Sequence, residues 1–383
     1  LIPLLLAYSL HRQRRIAAWA AYFAVPLLSL AAYQLWTSAL YGRAMFFDAF
    51  TFASQVHWNG GPASILVNAL VCGSFVGGCA LSAVVLAPLV FPWRWILFGL
   101  GAGAIAGSAF VSGALPLGES PLSQMVELAI GAQWLSAGAQ LALFIAGGVA
   151  VLSLAAADAW KHRDPDSMLL AAWVFGTFVF AAFLNWSVNA RSVLPLVPAV
   201  GILLARRLDR RDDGLQPRLR GKIAVALVAS GLVSLWVAAA DAGWAGSERD
   251  GALQVKEIVK SETASVWFEG HWGFQYYAQG AGLRPFDLET ETLNPGDVLI
   301  MPEGNIQTRT PPQSFVRDWQ TVEIALHQPL TTMSWRMGAG FYSSFFGPLP
   351  FAFGAVGPER YFLFRIGASL RPDQWHQTAM PQN

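Results

Sequence analysis

Charge is what this chain has least of: only 13% of its 383 residues are Asp, Glu, Lys or Arg, about half the share of a typical soluble domain. Such a deficit argues against an ordinary soluble enzyme, and 16 Trp and 25 Phe argue against a disordered chain. Neither sign of charge is in excess, with 25 Lys+Arg against 24 Asp+Glu, so nucleic acid is not indicated as a partner. Cysteine is nearly absent. The two present, Cys72 and Cys79, lie on one apolar run. Helical rise would hold their Cα atoms about 10.5 Å apart, beyond the roughly 7 Å reach of a disulfide. They are expected to be buried apolar thiols. CxxC, HExxH and His-rich clusters are missing, so nothing in the spacing points to a metal.

What is abundant is apolar sequence, 54% of the chain. Leu1–Leu10 is already apolar and is read as the last half of a longer span, because ten helical residues rise only about 15 Å. Long apolar runs follow at 16–40, 63–91, 93–115, 133–158, 168–187, 190–206 and 222–244. The expectation is an α-helical polytopic membrane bundle over 1–244, with about seven full spans plus the partial first one. The intervals between runs alternate in charge. Thirteen cations fall in one set, from Arg12, Arg14 and Arg15 through Arg94, Lys161 and Arg163 to the cluster between Arg206 and Lys222. Only Arg43 and Arg191 fall in the other. Positive loops stay cytoplasmic, so the thirteen are placed inside. By parity the tail 245–383 then lies outside, periplasmic in a Gram-negative host, which puts the protein in a bacterial inner membrane. Gly99, Gly103 and Gly107, like Gly73 and Gly77, form small-residue rows expected to pack helices closely.

The tail reads differently. GALQVKEIVKSE has helical spacing, ASVWFE is strand-like, HWGFQYYAQG is a helix ending at Gly280, and LRPFD is extended. LNPGDVLIMP, FVRDWQTVEIAL and ERYFLFRIG add three more strands, so 245–383 is expected to form a small α/β domain. It lacks a GxGxxG or Walker pattern. Glu269, His271 and Trp272 cluster at a strand end, where a polar turn is the plainer reading. The segment 338–354, GAGFYSSFFGPLPFAFG, has neither helical nor strand period. Two readings are even for it: a docking patch for protein or membrane, or filling for the domain's own core.

Chemistry on the outer face has few candidates. The loop 41–62 offers Arg43, Asp48 and His57; 116–132 offers Glu119 and Glu127; NWSVNAR offers Asn185, Asn189 and Arg191. Arg43 and Arg191 suit a lipid-linked phosphate, since guanidinium bonds phosphate oxygens in pairs; snorkelling is the plain alternative. A single carboxylate among these serves more simply to solvate its loop than as a general base. A divalent metal stays open as a cofactor, because carboxylates of distant loops can assemble one.

NARSVLPLVPAVGILLARRL, opening with an outer Arg, carrying two prolines and closing on a basic loop, resembles the later spans of polytopic GT-C type glycosyltransferases. That group includes protein O-mannosyltransferases (family 39-like) and the lipid A aminoarabinose transferase. FEGHWGFQYYAQGAG followed by PGDVLIMP resembles the periplasmic tail of bacterial members. The resemblance implies transfer of a sugar from a polyprenyl-phosphate carrier in the bilayer to an acceptor protein or glycolipid, with inversion and a carboxylate base. It carries over Arg191 alone, as a contact to the carrier phosphate. The acidic motif of the family stands in its first outer loop, expected upstream of residue 1, so no catalytic residue is assigned and the piece is expected to be inactive alone. Two further readings were weighed: a non-catalytic membrane subunit or sensor whose outer domain binds a cell-envelope partner, and a transporter. The transporter is disfavoured by the lack of mid-span charges and paired broken helices.

Overall fold

A computed structural model describes residues 2–13, 16, 18–58, 61–118, 121–210, 217–306 and 308–375. Its helices are α1 (Ile2–Gln13), α2 (Ala24–Tyr41), α3 (Met45–Trp58), α4 (Gly61–Cys79), α5 (Leu81–Val90), α6 (Trp93–Val111) and α7 (Pro121–Ala132). Then come α8 (Trp134–His162), α9 (Pro165–Val179), α10 (Ala190–Val193), α11 (Val197–Asp209), α12 (Pro217–Val259) and α13 (Trp272–Gly280). The strands are β1 (Val266–Phe268), β2 (Arg284–Pro285), β3 (Val298–Pro302), β4 (Val316–Ile324), β5 (Leu330–Thr331), β6 (Met333–Ser334), β7 (Ala339–Gly340), β8 (Ala352–Phe353) and β9 (Glu359–Ile366). Two compact units result, one of Leu1–Trp236 with Thr332–Ala352, the other of Val237–Thr331 with Phe353–Asn383.

Among the described residues, five helical stretches are long and apolar enough to cross a membrane, and six if α4 and α5 count as one. That is fewer than the seven expected, for two local reasons. The run 63–91 bends by 82° between α4 and α5, where Ala80 leaves helical geometry (φ −100°, ψ 49°). The run 190–206 divides into the single turn α10, a 3-10 turn at Leu194–Leu196 and the 13-residue α11. Pro195 and Pro198 remove two backbone donors there.

The small-residue rows pack as their spacing requires. A Cβ on Gly103 of α6 would overlap the Ala142 carbonyl of α8, and one on Gly77 of α4 would overlap the Phe144 carbonyl. Gly148 meets the Gly73 carbonyl in the same way. Backbones this close gain dispersion over long contact lines. Cys72 is fully buried in this packing and Cys79 partly so, both as free thiols.

One end of the unit gathers the basic loops. Arg206 of α11 reaches Asp158 of α8 (3.5 Å), Asp164 (3.4 Å) and the Ser167 hydroxyl (3.0 Å). Arg210 pairs with Asp158 at 2.9 Å. Asp164 caps α9 by accepting from the Ser167 N–H at 2.8 Å. Tyr8 of α1 donates to Asp166 at 3.0 Å and accepts from Arg12.

The second unit is a small α/β unit that starts before residue 245 and leaves out 332–352. Its sheet order is β2-β1-β3-β9-β4, with β1 parallel to β2 and β3, and β9 antiparallel to both β3 and β4. Central β3 is buried along its whole length, as an apolar run covered on both faces should be. Val298 and Ile300 point to a core shared with Ala252, Val255 and Val259 of α12 and with Phe274 of α13. Leu299 and Met301, on the opposite face, join Phe286, Leu293, Phe364 and Ile366.

Candidate functional site

At the end of the helical unit opposite the basic loops, α9 closes in a π-helical turn, Phe180–Leu184, and the chain enters NWSVNAR. The asparagines here build the turn. Asn189 caps α10, its Oδ1 accepting from the Ser192 N–H and hydroxyl, each at 2.9 Å. Asn185 Nδ2 donates to the Ser187 carbonyl (2.8 Å) and the Ser192 hydroxyl (2.7 Å). With both asparagines engaged in this turn, Arg191 is the exposed charged group of the motif.

The segment 332–352 is the unexpected partner of this turn. It belongs to the helical unit and does not fill the α/β core. The Ala190 N–H donates to the Phe341 carbonyl (2.8 Å), and the Ser344 N–H donates to the Val188 carbonyl (2.8 Å). Phe351 sits edge-on to Phe144 of α8, with centroids 4.9 Å apart. Phe346, Leu349 and Phe351 are buried. The lack of a helix or strand period has a physical cause: the segment is a compact loop turned by Gly338 (φ +67°) and Gly347 (φ +144°), conformations that glycine adopts at little cost. Beyond β6 and β7, its backbone groups pair across turns, as in Phe346 N–H to Ser343 carbonyl at 3.1 Å.

Aromatic rings of the turn, of α3 and of the segment 332–352 meet here. Trp186 lies 5.6 Å from Phe345 and 6.3 Å from Phe52 of α3, and the Arg191 guanidinium stands 5.7 Å over the Tyr342 ring. Arg191 has no carboxylate partner among the described residues. Arg43, by contrast, pairs with Asp48 in the first turn of α3 at 3.4 Å, both side chains being largely exposed. The structure therefore separates the two sequence candidates. Asp48 serves Arg43 and the positive end of a helix, whereas Arg191 faces the Tyr342 ring and makes no ion pair among the described residues. Glu127 accepts from the Leu117 backbone and ties the loop after α6 onto α7. Glu119 and the His57 side chain lie outside the described residues. Nothing in the sequence signals that Arg191 meets Tyr342 or that Trp186 meets Phe345, because both contacts depend on a segment about 150 residues downstream.

In the α/β unit a second polar cluster sits at the carboxyl ends of β1 and β3, the place where the chain turns to opposite sides of β1 and where parallel sheets bind ligands. Glu269, 3% exposed, accepts from the Arg309 N–H, and its other oxygen has no partner. Asn305 accepts from the His271 N–H (2.8 Å) and returns a bond to the His271 carbonyl (3.0 Å). Glu248 accepts from the Phe274 N–H at the start of α13 (3.1 Å), and Glu359 accepts from the Gly304 N–H (2.7 Å). Burial pushes the Glu269 and Glu359 carboxyls up to about 8. Glycines admit the carboxylates: a Cβ on Gly273 would overlap Glu248, and one on Gly304 would overlap Glu359. Every one of these glutamates is bonded to backbone, so the cluster braces turns. No group of three or more His, Cys, Asp or Glu suited to a metal occurs among the described residues. Comparisons with protein-family models, curated proteins and solved structures return no match.

Proposed function

We propose that this chain is part of an integral membrane glycosyltransferase that moves a sugar from a polyprenyl-phosphate carrier to a protein or glycolipid acceptor on the outer face of a bacterial plasma membrane. The observation that carries this reading is Arg191, exposed, without a carboxylate partner among the described residues and set over the Tyr342 ring. A guanidinium in that position suits the phosphate of a lipid carrier, and the exposed faces of Phe52 and Phe345 suit its hydrocarbon chain. In the reaction the bond from the anomeric carbon to the phosphate oxygen breaks, and its electron pair stays on the phosphate. The acceptor hydroxyl oxygen bonds the anomeric carbon from the opposite side and yields its proton to a base. Arg191 would act on the growing phosphate charge. No carboxylate of this chain is assigned as the base. The excess of cations in one set of loops supports an orientation with Arg191 outside.

The test is substitution of Arg191 in the protein within its own membrane. Arg191→Ala is expected to raise the KM for the polyprenyl-phosphate donor by about tenfold or more, the loss of a charge-assisted bond pair. Arg191→Lys is expected to recover part of it. Donor affinity unchanged in the alanine variant removes Arg191 from the site. One observation favours a second reading, a non-catalytic subunit or sensor: the buried glutamates of the α/β unit are spent on backbone N–H groups. Donor binding without any transfer by the wild-type protein would select it.

A further inference from the structure

The α/β unit carries a groove of about 390 Å³ at the amino ends of β1 and β2. Lys256 approaches it from the last turn of α12 and Lys260 from just past its end, Thr263 and Ser265 from the loop before β1, and Arg284 from the first position of β2. We propose that this groove binds the phosphate of a soluble phosphorylated small molecule. The proposal holds whether or not the transfer reading stands.

Three observations carry it. The groove has no acidic residue in its lining, although residues 245–383 hold 14 Asp+Glu against 10 Lys+Arg. A cationic pocket on an acidic background focuses anions. The nearest carboxylates are committed. Glu262 holds Arg365 through two bonds (3.0 and 2.6 Å), and Glu257 meets only Lys260, in an exposed pair at 3.3 Å. Lys256 and Arg284 make no ion pair among the described residues. Finally, Lys256 in the last turn of α12 and Lys260 just past its end line the same groove, where their like charges repel. Cations near a helix carboxyl end complement its dipole, which accounts for the lysines but not for Arg284, contributed by another element. An anion between the three relieves the repulsion and uses both hydroxyls as donors. Gly282 (φ +86°), with open space where a Cβ would stand, leaves the mouth clear.

The experiment is calorimetric titration of the whole chain in detergent with inorganic pyrophosphate, glucose 1-phosphate and, as the uncharged comparison, glucose. Pyrophosphate and glucose 1-phosphate should bind saturably and compete, glucose should not, and added salt should weaken both. The double variant Lys256→Gln, Arg284→Gln should weaken binding by about tenfold or more. Arg317→Gln, which removes an exposed arginine outside the groove, should bind as the wild type does. Absence of saturable binding overturns the proposal, as does a double variant indistinguishable from wild type. Binding of short-chain phosphatidylglycerol without binding of either soluble phosphate also overturns it, by assigning the groove to a lipid headgroup.

Discussion

Glu269 and Arg43 show how little a residue's type says about its state. Glu269 follows a strand in the sequence and reads as a polar turn residue, yet it is 3% exposed with one oxygen unpartnered. Its carboxyl, like that of Glu359, is pushed up to about 8 by burial. Both native values lie above the ordinary carboxyl value, so the folded unit holds protons that the unfolded chain releases. The stabilisation is present in full below the unfolded value and is lost as pH rises through the window up to about 8. Thermal unfolding of the α/β unit, followed in the whole chain, should therefore fall in midpoint between pH 5.5 and pH 8.5. Glu269→Gln should flatten part of that slope and raise the midpoint at pH 8.5; an equal slope in the variant would mean that Glu269 is ionised in the native protein. Arg43 and Arg191 looked alike in sequence, as the two cations between outer spans. Only the fold gives one a carboxylate at 3.4 Å and the other a tyrosine ring.

Elements were legible where one period dominated. β3, β4 and β9 alternate or run apolar as strands do, and α13 ends at the glycine that marks its end in the sequence. Continuous spans were legible by length, but breaks inside them were not, because hydropathy averages over a bend such as the one at Ala80. The segment 332–352 has no period to read, since its backbone bonds go to turns and to a distant loop. Glycine spacing, in contrast, was informative and can be tested within α6. Gly103 faces the Ala142 carbonyl, and Gly101, two residues earlier, faces open space. Gly103→Ala should destabilise the bundle by roughly 1–3 kcal/mol through forced separation of α6 and α8, whereas Gly101→Ala should be neutral or slightly stabilising. Denaturant unfolding in mixed micelles measures both. Equal effects would show that the α6–α8 approach does not govern stability.

For the whole molecule, the net charge of +1 conceals an uneven distribution. The helical unit collects Arg12, Arg206 and Arg210 with Asp158, Asp164 and Asp166 at one end, and Arg191 at the other. The proposed orientation follows from that asymmetry. In a variant with Cys72 and Cys79 replaced by alanine, a membrane-impermeant maleimide should label Arg43→Cys in intact cells and Lys161→Cys only after permeabilisation. The reverse pattern would invert the orientation and withdraw the outer-face transfer reading with it.

The sequence by itself showed which stretches are long and apolar enough to cross a membrane and the type of most elements. Burial of apolar surface and backbone hydrogen bonding act over a few residues, and their periods are written in order along the chain. Only the tertiary structure decided which groups meet. The pairing of 188–190 with 341–344, the ring beneath Arg191 and the three cations of the groove join residues far apart in sequence, and their energies depend on distance in space, which no local pattern encodes.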